Sequence, residues 1–159
     1  MDELLRILQT NALEARENIA KMLGASPEDI ARRIAEYEKQ GVIRGYQAIL
    51  NEDQLDLDKV TAVIEVKVTP QREGGFDGIA QRISRFPEVR SAYLMSGTYD
   101  LLLFVEGRTL REVAGFVSER LSPLEGVLST STHFMLKTYK RLGVLMHAEQ
   151  SDERLAVSP

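Results

Sequence analysis

Leu4, Leu5, Ile7 and Leu8 recur at the spacing of helical turns, which predicts a short first helix. The chain passes through QTNAL into a second helix, where Ile19, Met22 and Leu23 share a face. Gly24 follows at once and is a natural helix stop, because glycine adopts positive φ without steric cost. Ser26 then stands before Pro27, a good N-cap followed by a good first helical residue, so a third helix starts here. Ile30, Ile34 and Tyr37 give that helix one buried face, and Gly41 ends it. The next stretch, VIRGYQAIL, alternates around a glycine and reads as a small two-stranded wing or a linking strand.

The pattern changes after NEDQLDLDK, a polar, acidic run that reads as a linker over residues 51–59. In TAVIEVKV, Ala62, Ile64, Val66 and Val68 face one way, and Thr61, Val63, Glu65 and Lys67 the other. Phe76, Ile79, Ala80 and Ile83 then fall at helical spacing, and Pro87 closes that helix. VRSAYLM is a second strand, SGTYD a turn and LLLFVEG a third strand. Leu110, Val113, Ala114, Val117 and Leu121 define another helix, GVLSTSTHFML a fourth strand and KTYKRLGVLM a further extended piece.

The second half is thus β-α-β-β-α-β, the ferredoxin-like order, with two helices on one face of a four-stranded antiparallel sheet. The expected class is α+β: a winged helix-turn-helix over residues 1–50, the linker, a ferredoxin-like domain over 60–147 and a flexible tail over 148–159. Val63 and the run Leu101–Val105 leave apolar residues on both faces of the sheet. That pattern predicts a face covered by a second copy of the chain, or else by the N-terminal helices.

Composition narrows the function classes. The chain has 159 residues, 43% hydrophobic and 28% charged, as in globular proteins. With no cysteine, disulfides, thiol catalysis and thiolate metal sites are excluded. There is no apolar run of membrane-spanning length and no signal-peptide pattern, so a cytoplasmic protein is expected. The histidines, His133 and His147, join no metal-ligand spacing or catalytic constellation, and neither an enzyme nor a cofactor is indicated. The net charge of −4 argues against a general polyanion binder but leaves room for a local basic patch.

Two segments carry a more specific signal. The run ENIAKMLGASPEDIARRIAEYEKQGVIRGYQAIL joins a small-residue turn, a Ser-Pro helix start, paired Arg32 and Arg33 and a Gly-Val-Ile exit. FPEVRSAYLMSGTYDLLLFVEG is a strand, a Gly-x-Tyr-Asp turn and another strand. Together they resemble the Lrp/AsnC family, the leucine-responsive and asparagine-regulator "feast/famine" proteins, from about Leu4 to about Met146. The resemblance implies transcription factors that dimerise through the ferredoxin-like domain, often assemble further, and bind amino acids or other small effectors near the assembly interfaces. The chain departs from the family's pattern in starting about one helical turn late and in an acidic front to its third helix.

Double-stranded DNA, a small-molecule effector of amino-acid type and further copies of the chain are therefore the expected partners. For DNA, the expected contacts are Ser26, Arg32, Arg33, Lys39 and Arg44, with the two adjacent arginines projecting away from the buried helix face. They could equally form a solvated face paired with Asp29 and Glu36. Residues 1–50 hold seven cations against eight anions, a net of −1, so weak or lost DNA binding is the alternative. Glu28 and Asp29 suit the helix dipole, at about 0.3–1 kcal/mol each.

For the effector, Ser96, Gly97, Thr98, Tyr99 and Asp100 form the turn, with Asp100 able to accept an α-ammonium and backbone N–H groups a carboxylate. Thr130 and Thr132, from the hydroxyl run Ser129–Thr132, could complete the pocket or simply be strand residues. Gly74 and Gly75 are a further backbone approach point or a plain hinge. A remote alternative, a siroheme decarboxylase-like enzyme of similar architecture, would rest on His133.

Overall fold

Gly24 takes φ +61° and its amide closes α2 (Arg16–Leu23) on the Ala20 carbonyl, so the chain turns within three residues into α3 (Pro27–Lys39). The Ser26 hydroxyl accepts the Asp29 amide at 3.1 Å and Pro27 opens the helix, as the sequence predicts. These features belong to a computed structural model that describes residues 1–71 and 74–146; His147 and the expected tail from Ala148 lie outside them. The chain divides into two compact units, residues 1–49 and 50–159.

In the first unit, α1 (Glu3–Thr10), α2 and α3 bury Leu4, Ile19, Ala20 and Ile30, flanked by Ile7, Leu8, Leu23, Ile34 and Tyr37. Met22, expected in this core, is 63% exposed. It stands one turn past Ile19 at the margin of the α1–α2 contact, where polar Arg6, Thr10 and Asn11 leave it uncovered. Instead, Met22 lines an open groove of about 330 Å³ with Arg6, Ile7, Thr10, Asn11 and Glu14.

Asp2 ties this unit together. Its carboxylate accepts the Leu4 amide, capping α1, and also binds Arg33 at 2.8 and 3.0 Å and the Tyr37 hydroxyl. Arg33 and Tyr37 stand one turn apart on α3, so a single carboxylate clamps the start of α1 to the middle of the third helix.

Beyond α3, Gly41 takes φ +73°, and the amides of Val42 and Ile43 both donate to the Tyr37 carbonyl. The expected wing does not form: residues 42–50 contain no strand. Alternation alone does not make a strand, because each needs a neighbour to accept its ladder bonds. Past the Val42 and Ile43 amides, the Tyr46 hydroxyl donates to Glu38 at 2.9 Å, and Tyr46, Ile49 and Leu50 remain exposed.

The second unit has the expected order: β1 (Val60–Val68), α4 (Asp77–Ser84), β2 (Val89–Leu94), β3 (Leu101–Gly107), α5 (Leu110–Phe116) and β4 (Val127–Phe134). The sheet runs β2-β3-β1-β4 with every pairing antiparallel. Ala62, Ile64, Val66 and Val68 of β1 and Leu101, Leu103 and Val105 of β3 are buried beneath Ile79, Ile83, Val113, Phe116 and Leu121. Side chains of this size each contribute roughly 1.5–3 kcal/mol when fully buried.

Two details differ from expectation. Phe116 is buried, while Leu110 and Ala114 are exposed. A π-helical turn, Val117–Leu121, follows α5 directly, and its wider winding brings Leu121 back over the stripe set by Val113 and Phe116. The turn also holds the Arg120 guanidinium 4.6 Å from the Phe86 ring centre, with Phe116 edge-on to Phe86. The C-terminal extended piece is a small hairpin, β5 (Lys140–Arg141) with β6 (Val144–Leu145), turning through Leu142 and Gly143, both at positive φ.

Residues 51–59 are held by charge. A 3₁₀ turn, Glu52–Gln54, places Glu52 against Lys59 (2.8 Å) and Arg141 (3.0 Å), and Lys59 reaches Glu106 (3.0 Å), which also binds Arg90 (3.2 Å).

The Asp2 clamp gives a pH-dependent prediction. The Tyr37 hydroxyl and the Arg33 guanidinium hold the carboxyl at about 2, down from 3.8. A depressed carboxyl stabilises the fold above its unfolded value and loses that contribution as pH falls through its folded one. Asp2→Asn should therefore lower the unfolding free energy by about 1–2 kcal/mol at pH 6. In urea melts the gap from wild type should close between about pH 4 and about pH 2. A gap that stays constant over that range would show that the carboxylate charge is not what holds the unit.

Candidate functional site

The exposed side of α3 is mixed in charge. Arg32 is 75% exposed and pairs with Asp29 one turn earlier. Such a pair contributes about 0.3–0.5 kcal/mol and breaks readily. Arg33 departs from expectation: it does not project opposite the buried face. Its side chain is 31% exposed and turns back to Asp2, because position 33 shares a helix side with Tyr37 and faces the start of α1. The bond to Asp2 holds the Arg33 guanidinium above its ordinary range. Ser26 spends its hydroxyl as an N-cap, and Lys39 stands exposed in the last turn of α3.

Arg44 folds back over the helix exit, its guanidinium 3.3 Å from where a Cβ on Gly41 would sit. Among the described residues of this unit, the ion pairs are Arg6–Glu3, Arg32–Asp29 and Arg33–Asp2. Arg16, Lys21, Lys39 and Arg44 are outside them. Arg16 and Lys21 lie on α2, the helix that crosses the phosphate backbone in helix-turn-helix docking, and sequence reasoning passed over them. Their signal was available in the sequence as two basic residues of the helix before the turn, and both are exposed.

In the second unit, Ser96, Gly97 and Thr98 are exposed and Tyr99 and Asp100 half-buried. The loop closes through the Met95 amide on the Asp100 carbonyl at 2.8 Å, and nothing lies within 4 Å of a Cβ built on Gly97. Asp100 is anchored: its amide donates to the Val66 carbonyl, and its Oδ2 accepts the Val68 amide at 2.8 Å, where β1 carries a bulge. Its other carboxylate oxygen has no hydrogen bond among the described residues.

Thr130 pairs with Val66 and Thr132 with Ile64, so both point to the helix-covered side, Thr130 reaching Ser122 at 3.3 Å. Ser129, Ser131 and His133 take the other face. Asp100 and Thr130 thus flank the same end of β1 from opposite sides, about 10 Å apart at ordinary strand spacing, and one protomer does not join them into a single pocket. Gly74 and Gly75, at φ +88° and +57°, close a turn: Gly75 accepts the Gln71 amide and Gly74 the Asp77 amide.

The open sheet face is laid out by register. Val63 lies beside Phe104 and His133, Glu65 beside Leu102 and Ser131, and Tyr93 beside Leu102. Tyr93 meets Phe104 edge-on at 6.2 Å. Among the described residues no cluster of three or more His, Asp or Glu is placed to hold a metal, and no helix is long and apolar enough to cross a membrane.

A tight helix-turn-helix followed by a ferredoxin-like unit with an open Gly-x-Tyr-Asp turn defines a two-part regulator. Comparison with known proteins agrees. The sequence profile of the Lrp/AsnC ligand binding domain matches residues 61–145. The chain is 46% identical over 158 residues to the HTH-type transcriptional regulator YugG of Bacillus subtilis, covering 99% of this chain and 95% of that protein. It is 33% identical over 138 residues to the leucine-responsive regulatory protein of Rhizobium meliloti, covering 87% and 88%. A transcriptional regulator from Neisseria meningitidis, solved as its L-Met complex, superposes with a TM-score of 0.64 at 26% identity, over 89% of this chain and 93% of that one. The chain belongs to the Lrp/AsnC family of transcriptional regulators. It is a regulator and not an enzyme, and the siroheme decarboxylase alternative falls away.

The Asp100 geometry predicts a structural cost that is separable from ligand binding. Asp100→Ala should lower the unfolding free energy by about 1.5–3 kcal/mol, because it strands the Val68 amide. Thr98→Ala, in the exposed part of the loop, should change it by less than about 0.5 kcal/mol. Equal losses in urea titrations of the two variants would contradict the anchoring role.

Proposed function

We propose that α3 and the Arg44 segment bind an operator in double-stranded DNA, and that the second unit controls this binding through an amino acid and through self-association. The observation that carries the reading is the exposed cation set Arg32, Lys39 and Arg44 around a helix started by a Ser-Pro cap. Arg16 and Lys21 on α2 extend it. Arg33 serves the fold through Asp2, so the phosphate-contacting set is smaller than its count of arginines suggests.

The effector site is assigned to Ser96–Asp100, where the open backbone at Gly97 and the uncommitted oxygen of Asp100 suit a zwitterion. Thr130 and Thr132, a strand away, belong to that site only if another copy of the chain bridges the gap. The homo-oligomer is assigned to the open sheet face. Its apolar centre, Val63, Leu102, Phe104 and Tyr93, is rimmed by Glu65, Lys67 and His133, charges of both signs that a two-fold-related copy can match. Control of an operator calls for a cytoplasmic protein.

A second reading, sensing without DNA binding, is favoured by one observation: Asp29 already occupies the best-exposed arginine of α3. Gel-shift titrations against operator fragments separate the two. Under the DNA reading, Arg32→Ala and Arg44→Ala each weaken binding about five- to tenfold at low salt and reduce the salt slope by about one for each phosphate left unneutralised. Asp29→Asn should tighten binding by about threefold or more by freeing Arg32 and removing a charge near phosphate. No shift at low salt for the intact protein, with and without amino acids, would establish the second reading. Calorimetric titration with L-Met and other amino acids, against Thr98→Ala, tests the effector assignment.

A further inference from the structure

The open sheet face carries one cluster that operator and effector binding leave unused. His133 on β4 has its Nε2 3.7 Å from Glu65 Oε1 on β1 and 3.3 Å from the Ser131 hydroxyl. Glu65 and His133 stand beside Val63, at the margin of the apolar patch formed with Leu102, Phe104 and Tyr93. In the protomer the pair is open to water, with side chains 37% and 58% exposed, so its two charges cost and contribute little.

We propose that covering this face with a second copy is linked to proton uptake by the Glu65–His133 pair, so that the protein self-associates more tightly at lower pH. The inference rests on the second-copy reading of the face given above. Covering this face draws the Glu65 carboxylate out of water, a cost that a neutral imidazole 3.7 Å away does not offset. One added proton removes the difficulty, whether it makes an imidazolium against the carboxylate or neutralises the carboxylate. Below the range in which imidazoles titrate, the proton is already present; above it, association must draw one from solution.

The neighbouring charges do not supply the same linkage. Lys67 shares the face on β1, two residues along from Glu65. Glu106 on β3 is bound by Lys59 at 3.0 Å and Arg90 at 3.2 Å, so it enters the interface compensated. Tyr93 on β2 is engaged edge-on with Phe104. A two-fold-related copy brings the same set, so His133 is the imidazole this face contributes among the described residues.

Proton uptake by both copies predicts a dimer dissociation constant that rises about ten- to hundredfold between pH 6 and pH 8. The test is the dissociation constant of the full chain from pH 5.5 to 8.5 at fixed ionic strength, read by sedimentation and by dilution of fluorescently labelled protein. His133→Gln and Glu65→Gln lie on the surface and should fold normally, checked by circular dichroism. Both should flatten the pH dependence, and Glu65→Gln should associate at pH 8 about as tightly as wild type does at pH 6. A wild-type constant independent of pH, or a slope that survives His133→Gln, overturns the linkage while leaving the second-copy reading in place. A chain that stays monomeric at every pH and concentration overturns both.

Discussion

The central strand β1 is the constraint on which the second unit depends. It pairs with β3 on one side and β4 on the other, and its alternation divides the unit into a covered and an open layer. Ala62, Ile64, Val66 and Val68 receive the helices, while Val63, Glu65 and Lys67 stand on the far side. Because a strand's side chains alternate strictly, a slip of one residue would expose the first set and bury two charges. The register is therefore fixed by the hydrophobic effect before any specific contact is considered.

Functional geometry hangs from the same strand. Asp100 is locked to the Val66 carbonyl and the Val68 amide, so the Ser96–Asp100 turn cannot shift without disturbing the end of β1. Thr130 touches that end from its other side. The linker charges Glu52 and Lys59 reach the opposite end, where Lys59 meets Glu106. A ligand that strained the turn would thus act on the strand whose outer face is assigned to self-association, which gives effector and assembly a shared physical element.

The first unit is held differently. Its described core buries only four residues, which leaves polar clamps a larger share of its stability. Asp2 is the main one, and it recruits Arg33 from the helix that the DNA reading concerns. An arginine near a recognition surface is then part of the scaffold, and the acidic front of α3 divides its labour: Asp29 holds Arg32 lightly while Ser26 caps the helix. A core this small leaves the clamp little redundancy, and that limits how basic the exposed side of α3 can be.

Sequence alone determined the features set by local chemistry. Gly24, Ser26 and Pro27 impose the turn and helix start through φ and capping, and the alternation in β1 imposes a strand with one buried side. The β-α-β-β-α-β order and the family resemblance followed from those signals, and so did the position of the Ser96–Asp100 turn. Tertiary structure alone decided where partners come from far along the chain. Arg33 meets an aspartate 31 residues away, and Asp100 an amide 32 residues away. Thr130 and Thr132 face the core because register with β1 turns them there. The wing is absent since no strand among the described residues receives residues 42–50, and Leu121 returns over the Val113–Phe116 stripe because a π turn resets the phase of the helix after Phe116. Periodicity reports which side chains share a face; which face meets what depends on contacts that no local window of sequence contains.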